Sequence, residues 1–380
     1  MSKPLSLRFV LQHYFPYGGQ QRDFVKIANT ALSRGHRVQA LVQTWEGDIP
    51  DGIEVVRLSV SGHSNHRRLK NFGDAVQRYR NAYPVDVQIG FMRMAGLDVY
   101  FAADPCYRAR SLRRYGYWLR LLPRFRVLSA MEAAVFSAQS TTHVLALTTT
   151  EVQIYQQVYG TADARFTLLS PGVTDDFQLP TETERETLRQ QYGLKPDAVL
   201  LLMVGSHFQT KGVDRSLRAL AHLAATDRSR CQLAIAGAGN PGRMVSLAQK
   251  LGIADSVVFL GGRSDVAQWM QAADLLLQPS RTELAGMTIV EALSCQLPVI
   301  ASGECGYASH IRQSGAGRAL ATPFTQSSFA EALQHGLDPA KRQAWRTAAA
   351  HYSNAHSLRG LATAAIAVIE RLGSERRAER

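Results

Sequence analysis

The chain has 380 residues, 46% hydrophobic and 19% charged, a balance that excludes bulk disorder and suits two globular domains. Its formal net charge of +12 favours anionic partners: nucleic acid, anionic membrane or phosphorylated small molecules. No apolar run reaches the roughly 18 residues of a membrane-crossing helix, and Cys106, Cys231, Cys295 and Cys305 form no CxxC pair, which fits a reducing compartment and excludes a thiolate metal centre.

The start, Met1-Ser2-Lys3-Pro4, runs directly into a strand at residues 7–11, too soon for a signal peptide. A loop with Pro16-Tyr17-Gly18-Gly19 follows, then a helix over 22–33 with Phe24, Ile27, Ala28 and Ala31 on one face, and a strand over 38–42. Strand, helix and strand with short joints make one βαβ unit. Further strands are predicted at 55–58, 87–91, 143–147 and 166–169, and helices at 69–82 and 127–138. Ser170-Pro171-Gly172 reads as a hinge, and the polar stretch 181–191 as a surface helix.

A second series begins at Val199-Leu200-Leu201-Leu202-Met203-Val204, a continuous apolar run of the kind found in a central parallel strand. A helix follows over 214–225, then strands at 233–236, 257–260, 274–278 and 299–301. Helices at 244–250, 266–272 and 287–295 separate them, and a last amphipathic helix spans about 358–372. The economical architecture is α/β, two doubly wound parallel sheets, with domains at 1–170 and 171–355 and the helix at about 356–372 returning to the first. Such sheets bind ligands beyond the carboxyl ends of their strands.

Four strand-to-helix loops are candidates. Gly18-Gly19 lets backbone approach an anion at a helix N-terminus, although a plain turn also needs glycine. The spacing is not GxGxxG, so a nicotinamide site is not expected. In Gly205-Ser206-His207-Phe208-Gln209-Thr210-Lys211-Gly212 the lysine offers a mobile ammonium to a diphosphate, or is a solvated loop residue; the GxxxxGK[ST] spacing is absent. Glu283 and Glu291 stand eight apart, one in a loop and one beyond the first helical turn, with Gly286-Met287-Thr288 opening the helix between them. Capping alone accounts for Glu283 but not for Glu291, which shares a face with Ile289, Ala292 and Leu293 and needs a partner such as two sugar hydroxyls. Around Gly261-Gly262-Arg263-Ser264-Asp265, Asp265 reads as an N-cap, or the backbone lines a base pocket.

Glu283-x7-Glu291, with Lys211 upstream and Gly18-Gly19 in the first domain, resembles the retaining GT-B glycosyltransferases of family 4. Within that family the likeness is greatest to the lipopolysaccharide-core glucosyltransferases that act on heptose. It rests on the stretches 15–24, 45–48, 96–104, 211–216 and 305–307, and runs from about Leu7 to Ile369.

The resemblance implies two Rossmann-like domains facing each other across a cleft, a UDP-sugar donor (UDP-glucose first), no metal, and a lipid-linked inner-core heptose acceptor. It also implies roles. Glu291 holds the ribose, and Glu283 contacts the donor hexose. Lys211, Gly18, Gly19, Gly286, Met287 and the N–H groups near Thr288 and Ile289 hold the diphosphate. Arg263 borders the uracil, Asp23 lies near the cleft and Asp104 sits beneath the reacting sugar. Thr210 departs from the family's Arg-Lys pair, with Arg281 as a candidate replacement cation, so other UDP-hexoses or N-acetylhexosamines stay open. An epimerase or a phosphorylase is an alternative that product analysis separates. A nucleic-acid binder has only the charge in its favour, with no zinc pattern or reading module.

Residues 107–126 carry seven arginines, at 108, 110, 113, 114, 120, 124 and 126, five aromatics and no acid. That composition suits attachment to an anionic, cytoplasmic membrane face. A solvated basic loop, core packing of some aromatics and an RNA patch are the other readings. Gly116 and Pro123 predict a short helix and a basic loop rather than one helix.

Overall fold

Thirteen of the strands in the computed structural model, which describes residues 3–16, 18–195 and 197–378, belong to two parallel sheets. The chain divides into two units, Met1–Gly172 with Gly360–Arg380, and Val173–Arg359.

In the first unit the strands are β1 (Ser6–Val10), β2 (Arg37–Val42), β3 (Ile53–Arg57), β4 (Val87–Gly90), β5 (Val99–Ala102), β6 (His143–Ala146) and β7 (Phe166–Leu168). Their spatial order is 3-2-1-4-5-6-7, all parallel, with Leu7 paired to Val38 on one side and to Val87 on the other. This contains the Rossmann order, whose direction reverses between β1 and β4. The central strands β4, β5 and β6 are buried along their whole length, the polar Gln88 and His143 included, as strands covered on both faces are. The helix Leu361–Ala378 returns to this unit: Arg377 pairs with Asp86, Glu370 with Arg34 and His36, and Arg376 with Asp98.

In the second unit the strands are β8 (Val199–Val204), β9 (Cys231–Ala236), β10 (Val257–Gly261), β11 (Leu275–Gln278), β12 (Val299–Ala301) and β13 (Gly317–Ala319), in the order 10-9-8-11-12-13. The reversal here falls between β8 and β11, where Leu201 pairs with Leu275. Leu201, Met203, Leu217, Leu233, Leu277 and Phe329 sit in one apolar core.

Several elements differ from the pattern-based expectation. The first helix begins at Gly19 and the second at Asn65, before their apolar faces do. The strand β5 and the helices Thr149–Tyr159, Gln326–Gly336 and Pro339–Ala355 have no prediction behind them. The helix expected at 127–138 starts at Pro123, because proline at the first helical position has no N–H to lose. The basic loop expected after Gly116 is a 3-10 turn, Tyr117–Leu121. Tyr17, from the first glycine-rich loop, and the side chain of Arg114 lie outside the described residues.

Candidate functional site

The loops that leave β8 and β11 carry the second unit's polar cluster, at the point where its strand order reverses. Beyond β8 the chain makes a single helical turn, Phe208–Lys211, and then bends at Gly212 with φ 75°. A Cβ at Gly212 would lie 2.1 Å from the Pro279 carbonyl oxygen, so only glycine lets these two loops touch. Lys211 is therefore not a mobile cation above the sheet. Its ammonium is held by the Glu283 carboxylate. The same oxygen, Oε2, lies 3.4 Å from Gln278 Nε2 and from Ser280 Oγ, so all three donors converge on it and none reaches Oε1.

Arg281 does not act as a free replacement for the missing phosphate-loop arginine. Its guanidinium makes two 2.8 Å bonds to Asp214 and one of 2.6 Å to the Gln209 carbonyl, bracing the turn that carries Lys211. Burial raises the Asp214 carboxyl, but the Arg281 bonds outweigh it and hold the group below its ordinary range. Arg215 supports the other loop by donating to the carbonyls of Pro279 and Ser280.

Glu283 lies in a loop bridged to Cys305. Gly286, in the left-handed region at φ 89°, starts the helix Met287–Ser294, which has no side-chain cap and no acid in its first turn. That leaves the positive end of the helix dipole open. The Ile289 N–H already donates to the Gly286 carbonyl at 2.9 Å, and the Ile289 side chain is fully buried. Among the described residues the Thr288 hydroxyl is buried with no hydrogen-bond partner. Glu291 is buried one turn further on.

Asp265 occupies the N-cap position of the helix Val266–Ala272 but does not cap it. Its carboxylate instead takes Arg263 Nε at 2.7 Å and the Tyr192 hydroxyl at 3.4 Å. Sequence reading missed the Gly237-Ala238-Gly239 loop after β9. A Cβ at Gly237 would fall 2.3 Å from the Gly205 carbonyl, and Ala238 N–H donates to Ser206 Oγ at 3.1 Å. Paired glycines at a strand end, as in Gly18-Gly19, were the available signal.

The first unit has its own cavity, of about 290 Å³, at the carboxyl ends of β1, β4 and β5. His13, Gln20, Arg93, Asp104 and Met131 are among its walls. Gly18 precedes the uncapped helix Gly19–Ser33, and a Cβ at Gly19 would meet nothing within 4 Å. Asp23 lies on that helix, and its burial pushes the carboxyl up to about 6 against the pull of Lys26 and Arg22. Asp104 is exposed, while its backbone carbonyl accepts from Arg93 at 2.9 Å and from the Tyr155 hydroxyl at 3.0 Å. Arg93 was not anticipated, and as one arginine in a loop it carried no signal.

Of the segment 107–126, residues Tyr107–Tyr115 form a helix that Gly116 ends. Tyr117, Trp118 and Leu121 are 70%, 60% and 80% exposed, whereas Phe125 is buried. Among the described residues no helix is long and apolar enough to cross a membrane, and no three His, Cys, Asp or Glu side chains group as metal ligands.

Comparison with known proteins agrees with this architecture. Residues 184–352 match the family "Glycosyl transferases group 1". The lipopolysaccharide glucosyltransferase WaaG of Escherichia coli K12 is 40% identical over 364 residues, 95% of this chain and 97% of that protein. A crystal structure of WaaG, a glycosyltransferase involved in lipopolysaccharide biosynthesis, superposes with a TM-score of 0.90, covering 96% of this chain and 99% of the other. Anabaena HepE in complex with UDP-glucose shares the fold at a TM-score of 0.70 and 19% identity, over 99% of this chain and all of the other. Two Rossmann-like parallel-sheet units of this kind define a GT-B enzyme of the sugar-transferring class. The chain belongs to the group 1 glycosyltransferases, alongside WaaG.

Proposed function

We propose that this glycosyltransferase moves a hexose, glucose in the first instance, from its UDP derivative to an inner-core heptose of lipopolysaccharide, with retention of configuration. The observation that carries the reading is the Lys211–Glu283 pair at the strand-order reversal, one loop away from the open N-terminus of the helix Met287–Ser294. Overall likeness to a lipopolysaccharide glucosyltransferase supports the choice of donor and acceptor.

In this reading Lys211 and the N–H groups of Met287 and Thr288 receive the diphosphate, and binding exchanges Glu283 for phosphate as the partner of the ammonium. Glu283 then turns to the hexose hydroxyls, with Oε1 met by no donor among the described residues. Gly286 allows the close approach, Glu291 takes the ribose hydroxyls, and Arg263, steadied by Asp265, borders the base. As the C1–O bond breaks, its electron pair passes to the β-phosphate oxygen, where fixed donors stabilise it without a metal. The acceptor hydroxyl attacks from the same face and gives its proton to that oxygen. On the first unit, the cavity beside Asp104 takes the acceptor, with Gly18 just before the adjoining helix and Gly19 and Asp23 on it. The enzyme works at the cytoplasmic membrane face, held by residues 107–126, so an acylated acceptor stays in the bilayer.

The test is product analysis with purified core acceptor and a panel of UDP-hexoses, UDP-N-acetylhexosamines and GDP-glucose. One α-linked hexose on heptose from UDP-glucose is expected. Equal use of GDP-glucose, or epimerised donor in place of product, overturns the reading.

A further inference from the structure

Five polar backbone groups in the turn Asp104-Pro105-Cys106-Tyr107-Arg108 are gripped by side chains from other elements. Arg93 Nη2 donates to the carbonyls of Asp104 at 2.9 Å and Pro105 at 2.7 Å. Glu151 accepts from the Cys106 N–H at 3.0 Å. Glu132 accepts from the N–H groups of Tyr107 at 2.7 Å and Arg108 at 2.9 Å. Glu132 is fully buried, lies 3.4 Å from Arg93 Nη1 and also takes the Tyr159 hydroxyl at 2.7 Å. The Tyr155 hydroxyl closes the ring by donating to the Asp104 carbonyl while lying 3.1 Å from Arg93 Nη2.

A buried carboxylate is costly unless several donors meet it. Here the donors are the open end of the helix Tyr107–Tyr115, which has no acid in its own first turn and no cap from Cys106. Glu132 therefore supplies from another helix the negative charge that this N-terminus lacks. A structural cap needs only Glu132. Arg93 adds grip on Asp104 and Pro105, and both Arg93 and Asp104 line the first unit's cavity.

We propose that Arg93 and Glu132 are positioning residues, which fix the Asp104 turn against the start of the basic segment so that a membrane-docked segment sets the place of the Asp104 carboxylate. This inference rests on the reading above, in which Asp104 faces the acceptor and residues 107–126 face lipid. A displacement of about 1 Å at a reacting centre costs up to about 10²-fold.

The test uses Glu132→Gln, which keeps the shape and removes the charge, and Tyr155→Phe, which removes only the bridging hydroxyl. Transfer to core acceptor in anionic phosphatidylglycerol vesicles is measured with acceptor and UDP-glucose varied in turn. For Glu132→Gln a fall of 10- to 100-fold in kcat/KM for acceptor is expected, through a raised acceptor KM, with the KM for UDP-glucose and vesicle flotation as in wild type. For Tyr155→Phe a smaller shift in the same direction is expected. Loss of folded protein lowers kcat and leaves both KM values alone, and that result, like wild-type kinetics in both variants, overturns the proposal. Asp104→Asn and wild-type flotation run in parallel. Normal transfer by Asp104→Asn, or no flotation of wild type, refutes the underlying reading instead.

Discussion

Lys211 and Glu283 show what a sequence holds and what it withholds. Each residue stood out by type and place: a lysine beyond the most apolar strand, a carboxylate ahead of a helix opened by a glycine. Their pairing spans 72 positions and exists because β8 and β11 are neighbours, a fact of strand order that no local pattern contains. For the same reason Arg281 looked like a spare cation until its contacts with Asp214 and Gln209 were visible. Removing Lys211 takes away the one side-chain cation in contact with Glu283 among the described residues. Lys211→Ala is expected to lower turnover of UDP-glucose by about 10²–10³-fold in a folded protein, and near-normal turnover would remove Lys211 from the site. Asp23 gives a prediction of another kind. Its folded-state pKa of about 6 stands above the ordinary 3.8, so the folded protein binds the proton more tightly than the unfolded chain. The cost of burying the charge grows as pH rises through that window and is complete above about 6. Asp23→Asn is therefore expected to be more stable than wild type near pH 7.5, by on the order of 2–3 kcal/mol. The advantage shrinks toward zero near pH 4. Thermal midpoints of both proteins across this range check it, and a difference that does not change with pH contradicts it.

At the scale of elements, β8 was legible because two covered faces leave no polar alternation in Val199-Leu200-Leu201-Leu202-Met203-Val204, whereas β5, equally buried but four residues long, had no prediction behind it. The helix Pro339–Ala355 escaped because it buries only Ala349 and Tyr352, too narrow a stripe to mark a period. The helix Tyr107–Tyr115 is a different case, with no buried side chain among its described residues and an anchor that is a carboxylate on another helix. The return of the last helix to the first unit rests on close packing and on charge. Gly373 lies where a Cβ would come within 2.8 Å of Leu5 and 3.0 Å of Val87. Nearby, Arg377 makes bonds of 2.8 and 2.6 Å to Asp86, which also accepts from the Ser6 N–H and hydroxyl. Burial raises the Asp86 carboxyl, but the bonds from Arg377 and Ser6 outweigh it and bring the group to about 2. A carboxyl held below its unfolded value stabilises above that value, and the contribution disappears as pH falls from about 4 to about 2. Asp86→Asn is expected to lower the unfolding midpoint at pH 7 and to match wild type near pH 2. An unchanged midpoint at pH 7 would show that the Asp86–Arg377 pair adds nothing to the docking of this helix.

Over the whole molecule the basic excess is uneven: residues 1–170 hold 21 Lys/Arg against 12 Asp/Glu, and the rest hold 22 against 19. Within the first part, residues 107–126 concentrate seven of the arginines. The structure adds what composition did not contain, the division of this segment between core and solvent. Phe125 packs inward at 5.8 Å from Tyr107, while Tyr117, Trp118 and Leu121 stand out from a 3-10 turn. A merely solvated basic loop has no need to display a tryptophan and a leucine side by side. An RNA surface uses rings for stacking but gains nothing from Leu121. A bilayer interface uses both, rings and leucine at the acyl boundary and guanidinium groups at the phosphates. Each arginine near an anionic surface contributes about 1 kcal/mol. Arg113, Arg120 and Arg124 are all exposed, so changing the three to serine is expected to lower partitioning into anionic vesicles by about 10²-fold. Raising the salt concentration should weaken wild-type binding and narrow that gap, since screening shortens the reach of the charges. A Trp118→Ala, Leu121→Ala variant should also bind less, by an amount that salt does not narrow, because the lost term is apolar burial. Vesicle flotation across a series of phosphatidylglycerol contents, at low and high salt, reads both effects. Wild-type flotation by the triple-arginine variant would assign the membrane contact elsewhere. Equal loss of RNA and vesicle binding, with no effect of Leu121, would make the segment a general polyanion surface.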